Sequence, residues 1–183
     1  DVIVPLSITG TGETYGNEYG EYTLGTAGIT YTVTDIGRGA FSLYENEMNV
    51  GCADRITSVH LPDTLTSTSA EAWFSGCLAL ENVYGLPDTL KTMYQTFYDC
   101  MMMKMAPEIP DSVTEMEETF YACAALEEAP ALPIGVTNLS GCFQDCSSLT
   151  KAPVIPGSVT NMYDTFYGCT LLQEAPVIPD DVN

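Results

Sequence analysis

Three residue types keep one spacing along this chain. Cys77, Cys100, Cys123, Cys146 and Cys169 follow one another at intervals of 23 residues. Phe74, Phe97, Phe120, Phe143 and Phe166 do the same, as do Pro87, Pro110, Pro133, Pro156 and Pro179. Self-similarity at a fixed period marks a repeat architecture, in which one unit is too small to bury its own apolar face and stacking supplies the core. An earlier, longer copy keeps Phe41, Cys52 and Pro62, with its extra length in Glu45 to Gly51. The chain therefore reads as about six turns, near 34–65, 66–90, 91–113, 114–136, 137–159 and 160–182.

A period of 23 falls in the range of leucine-rich repeats, where each turn supplies one short strand and a helical or irregular return. The predicted class is an α/β repeat solenoid with short parallel strands. Strand candidates follow the cysteine, as in Ile56 to Pro62 and Leu80 to Pro87, where apolar residues are separated by exposed ones. The return carries Phe and Cys three apart, which a single helical turn places on one side. Stacking then sets Phe on Phe and Cys on Cys in internal columns. In the later turns Ala106-Pro107, Ala129-Pro130, Ala152-Pro153 and Ala175-Pro176 put a proline inside the strand register. Proline has no N–H, so one hydrogen-bond column should be missing. Strands of about three residues are expected there, followed by extended, polyproline-like backbone.

Charge narrows the partners. The chain carries 5 basic and 25 acidic side chains, a net charge of −20, yet 45% of its residues are hydrophobic. Disordered acidic chains lack such an apolar share, so this one folds. A strongly negative surface repels phosphate backbones and anionic headgroups, which excludes nucleic acid. No apolar run reaches the roughly 20 residues of a spanning helix, so no membrane insertion is expected.

Thr34 to Phe41 (Thr-Asp-Ile-Gly-Arg-Gly-Ala-Phe) and Ile56 to Leu65 resemble the BspA-like leucine-rich repeats of bacterial surface proteins. Val159-Thr160-Asn161-Met162 with Phe166 and Cys169 resembles the Met-Phe-Cys variant of that repeat. The resemblance covers residues 29 to 182. It implies a secreted or surface-displayed right-handed solenoid that binds host or neighbouring-cell macromolecules, with no catalytic residues and no cofactor.

Residues 1–33 lack the Phe and Cys marks and are rich in Thr, Gly and Tyr. Ile29 to Val33 alternates as a strand. This segment is expected to be a β-rich cap over the first turn, with the solenoid over 34–183. The end at Ala175 to Asn183 resembles a turn about to repeat, so the chain reads as a fragment of a longer surface protein, or as one closed by a partner.

Each candidate site has a plain alternative. The cysteines suit a ladder of small buried thiols better than a metal centre, since Cys142 and Cys146 are joined by no second pair or histidine. The six in-register thiols are expected to be reduced. Cys142 replaces the Thr found at Thr96, Thr119 and Thr165 and is the one to label. Tyr98, Tyr121 and Tyr167 follow the inward Phe, with Gln144 in the remaining turn; Tyr94 and Tyr163 stand three or four residues earlier. They form either an outward gripping column or a simple cover over the returns. Glu127 and Glu128 occupy a repeating surface slot and, with Glu115, Glu117 and Glu118, suggest a negative field rather than an acid–base pair, which needs a cleft. Met103 should be core, and at least one of Met101 and Met102 exposed.

The expected function is a non-enzymatic cell-surface binding module recognising a neutral or basic extracellular protein or glycan, as a monomer or in end-to-end association. Two alternatives stand: a structural spacer displaying other domains, and, more remotely, a glycan-active enzyme.

Overall fold

The computed structural model describes residues 34–42, 56–180 and 182, together with the backbone of five short strands before them. Those strands are β1 (Val2–Ile3), β2 (Ser7–Thr9), β3 (Thr14–Asn17), β4 (Gly20–Thr23) and β5 (Thr30–Thr32). β2 pairs antiparallel with β5, and β3 with β4. β1 joins in parallel a sheet continued by β6 (Ser58–His60) and β7 (Asn82–Tyr84), in the order β1-β6-β7. The alternation in Ile29 to Val33 corresponds to β5. Cys52 and the insertion Glu45 to Gly51 lie outside the described residues.

Beyond β7 the turns are tied by columns of residues 23 apart. Ser69, Thr92, Glu115, Asn138 and Asn161 are joined in succession by parallel bridges, and Met105, Glu128 and Lys151 form a second column. Inside, the phenylalanines stack. Ring centroids are 5.2 Å apart for Phe41 and Phe74, 5.5 Å for Phe74 and Phe97, and 5.7 Å for Phe143 and Phe166, with planes within 12° of parallel. Such offset stacking adds to the burial that each ring already supplies. Around the rings lie Leu80, Met103, Leu126 and Leu149, all fully buried, so Met103 is core as its register predicts. Met101 and Met102 are both about half exposed.

The return segments are not plain helical turns. Each holds two residues in the left-handed region, four apart: Ala72 and Gly76, Gln95 and Asp99, Glu118 and Ala122, Gly141 and Asp145, Asp164 and Gly168. With a left-handed residue at each end, these stretches turn alternate amides toward the next turn. The amides of Ala72, Phe74 and Gly76 accordingly donate to the carbonyls of Tyr94, Thr96 and Tyr98 one turn on, at 2.9, 2.9 and 2.7 Å. The expected single helical turn does place Phe and Cys inward, but its backbone is a second inter-turn ladder.

The prolines shorten the strands further than expected. Where three-residue strands were predicted, the turns past β7 are joined through single bridges at Met105, Glu128 and Lys151. Pro107, Pro130, Pro153 and Pro176 occupy the slot that Tyr84 fills in β7. Without an N–H there, no donor in the next turn reaches the carbonyls of Val83, Ala106 or Ala129, and the ladder stops.

Candidate binding face

The cysteine column is structural. Each thiol donates to the carbonyl of the phenylalanine 26 residues earlier: Cys100 to Phe74 (3.3 Å), Cys123 to Phe97 (3.2 Å) and Cys146 to Phe120 (3.1 Å). Cys169 does the same to Phe143 (3.1 Å), and Cys77 reaches Phe41, 36 residues earlier, at 3.1 Å. Burial drives the thiols of Cys100, Cys123, Cys142 and Cys146 well above the usual thiol range; Cys169, only partly buried, is raised to about 11. None of the six described cysteines is in a disulfide. A protonated, enclosed thiol is neither a nucleophile nor a metal ligand. Cys142 is fully buried, so among the described residues the cysteine most open to solvent is Cys169 instead. Among the described residues no group of three or more His, Cys, Asp or Glu is placed to hold a metal ion.

The tyrosines fall on the return segments. Tyr98 and Tyr121 lie face to face, centroids 4.5 Å apart and planes within 1°. Burial, then the neighbouring carboxylate of Glu118, raises the Tyr94 phenol, and burial also raises that of Tyr98. Tyr163 and Tyr167 are 72% and 65% exposed, with Gln144 separating Tyr167 from the Tyr98–Tyr121 pair. Glu127 and Glu128 do not join this column. They stand exposed on the strand segments, Glu128 within the Met105–Lys151 bridge column. The acids that do reach the return segments are hydrogen-bonded there: Gln95 Nε2 donates to Glu118 (2.7 Å), Asn138 Nδ2 to Glu117 (3.1 Å) and Thr137 Oγ1 to Glu115 (3.0 Å).

The strand segments present a surface that within-unit reading passed over. His60 and Tyr84 stack at 4.6 Å. Tyr84 is 50% exposed and Met105 70%, while Ile134 reaches 86% and Val154 89%. Two grooves cross this face. One, of about 760 Å³, runs between β7 and the stretch from Met105 to Ser112; the other, of about 470 Å³, is bounded by Pro130, Leu132, Ile134, Pro153 and Val154. Comparing slots across turns exposes the oddity. Ile134 stands where Asp88, Asp111, Gly157 and Asp180 stand in other turns, and Val154 where Gly85, Glu108, Ala131 and Val177 do.

Stacked short turns joined by parallel bridges, with an apolar column inside, define a leucine-rich repeat protein. The chain belongs to the BspA-type leucine-rich repeat family, whose model matches six copies over residues 50–173. Solved structures agree. A leucine-rich repeat protein of T. pallidum is 27% identical with a TM-score of 0.65, the match covering 81% of this chain and 65% of that one. A leucine-rich cell surface protein of Faecalibacterium prausnitzii is 28% identical, TM-score 0.62, over 91% and 38% of the two chains. One from Bacteroides ovatus, 24% identical with a TM-score of 0.57 over 99% and 46%, shows the same fold. The chain thus spans less than two thirds of each of these proteins. No curated protein matches it.

Proposed function

We propose that this chain is a non-enzymatic binding module of a cell-surface or secreted protein, recognising a neutral or basic extracellular protein, or a glycan, through its strand face. The observation that carries this reading is the exposure of Tyr84, Met105, Ile134 and Val154 along that one face. Large apolar side chains left exposed on one face suit a site that a partner covers. Membership of a repeat family of protein-interaction type and the likeness to a cell surface protein support it. The net charge of −20 favours basic patches on the partner. The tyrosine column serves as a secondary contact.

The test is capture of extracellular-matrix proteins and mucins on immobilised chain, at low and high salt, with Ile134→Glu/Val154→Glu beside the parent. Capture that weakens with salt and is lost in the double variant is the expected result. Capture by neither would favour a spacer displaying other domains.

A further inference from the structure

We infer that the strand face takes an amphipathic α-helix of a partner protein, laid along the stack of turns, with basic side chains at one end of its contact stripe and apolar ones at the other. This rests on the strand face being the binding face and names what covers it. The two grooves on that face differ in chemistry. The charged lining of the larger one is all acidic, namely Asp88, Glu108 and Asp111, each exposed, and half-exposed Tyr84 shares the lining. Two turns further on, 46 residues later in each case, the same three slots hold Ile134, Val154 and Gly157. Ile134 and Val154 stand almost wholly exposed, with Pro130 and Pro153 in the lining of the second groove beside them. The two charges that border this groove, Glu128 and Lys151, are opposite in sign.

The spacing of the turns selects the shape of the occupant. Successive turns are 5.4 Å apart at the rings of Phe97 and Phe120 and 5.7 Å at those of Phe120 and Phe143. Parallel pairing holds the strand side at roughly 4.8 Å. Two turns of the solenoid thus advance roughly 10–11 Å, against about 10.8 Å for two turns of α-helix, so residues i and i+7 of a helix come over equivalent slots of the two grooves. An extended segment repeats a face every ~6.8 Å and falls out of step. The face also gives such a segment little to bond, since Pro107, Pro130 and Pro153 carry no N–H. A helix closes its backbone hydrogen bonds internally and binds through side chains alone. Carboxylates at one groove and apolar side chains at the other then select lysine or arginine at i and i+4, followed by leucine, isoleucine or methionine at i+7 and i+11.

The probe is an alanine-rich helical peptide of about 20 residues, long enough to hold a helix in water, with lysine at i and i+4, leucine at i+7 and i+11, and a fluorophore. It is titrated with the full chain and followed by anisotropy. Two comparison peptides keep its charge: one moves both leucines by two residues, to the opposite side of the helix, and one places a proline between the lysine and leucine pairs, which breaks the helix. The expected result is saturable binding of the first peptide, weakened about tenfold or more in each comparison, because the leucines lose their burial. Glu108→Lys/Asp111→Lys, both on exposed positions, should weaken binding of the first peptide by about tenfold or more through charge repulsion, with the circular dichroism spectrum of the chain unchanged. Equal binding of the leucine-shifted or the proline peptide would reduce the interaction to bulk charge and overturn the proposal. So would binding that survives the double charge reversal, or no binding of the first peptide at all. Matrix-protein capture that is lost in Ile134→Glu/Val154→Glu, beside a helical peptide that does not bind, would overturn the helix and leave the strand face as the site.

Discussion

The thiol of Cys123 donates to the carbonyl of Phe97 across 3.2 Å, tying two successive turns through the core. It makes the cysteine column an acting hydrogen-bond ladder rather than a set of small fillers. Cys123→Ala removes the donor and leaves a void in a fully buried site. It should lower unfolding stability by about 1–2 kcal/mol, read from the urea midpoint. An unchanged midpoint would mean that neither the bond nor the volume filled by the sulfur contributes to stability.

The slot of Cys142 makes the opposite case. Thr96, Thr119 and Thr165 each donate Oγ1 to a carbonyl 26 residues earlier, at 2.9, 2.8 and 2.8 Å. The equivalent acceptor for residue 142 is the Met116 carbonyl. Cys142→Thr should restore that bond and raise stability by about 0.5–1.5 kcal/mol. A loss of stability would show that the site is shaped around sulfur.

Left-handed backbone gives a paired prediction. Ala122 sits at φ 56° and Ala72 at φ 53°, where a Cβ is unfavourable. Ala122→Gly should stabilise by up to about 1 kcal/mol. Gly85→Ala should do the reverse, because its φ is 82° and an added Cβ would stand 2.7 Å from the Leu61 carbonyl oxygen. Thermal denaturation of both variants checks the sign of each.

Stability should also fall in alkali, for a definite reason. Burial raises the folded-state pKa of Cys100, Cys123, Cys142 and Cys146 above the 9.0 of a free thiol. Above pH 9 the unfolded chain sheds those protons while the folded chain keeps them, so unfolding gains. The contribution is fully present below the unfolded pKa and is lost as pH rises toward the folded values, at about 1.4 kcal/mol per pH unit for each thiol. Unfolding free energies between pH 8 and 10.5 should therefore curve downward above 9. In the same range a thiol reagent should modify Cys169 before the other five described cysteines, and Cys142 only on unfolding.

Much of the interior was legible because columns demand identity. A Phe ring stacks best on another Phe, and a thiol must meet the same carbonyl each turn, so both types recur at one spacing. The left-handed residues were not legible, since glycine fills only three of those ten positions, Gly76, Gly141 and Gly168. Inter-turn hydrogen bonds hold Ala122 and Gln95 there against their own preference. The strand face was missed for another reason. Tyr84 and Ile134 look ordinary within a unit and become conspicuous only against the prolines and acids in the same slots of other turns. Glu127 and Glu128, named with the tyrosines as one candidate surface, lie on the strand segments, whereas the tyrosines lie on the returns.

The central claim, that the strand face is the one a partner covers, is tested most directly by hydrogen–deuterium exchange of the full chain, free and bound to a matrix protein or mucin captured in the salt series. The account predicts new protection in residues 81–86, 104–112, 127–134 and 150–156, with the returns carrying Tyr98, Tyr121 and Tyr167 little changed. Protection confined to those returns, with the strand segments unaltered, would contradict it.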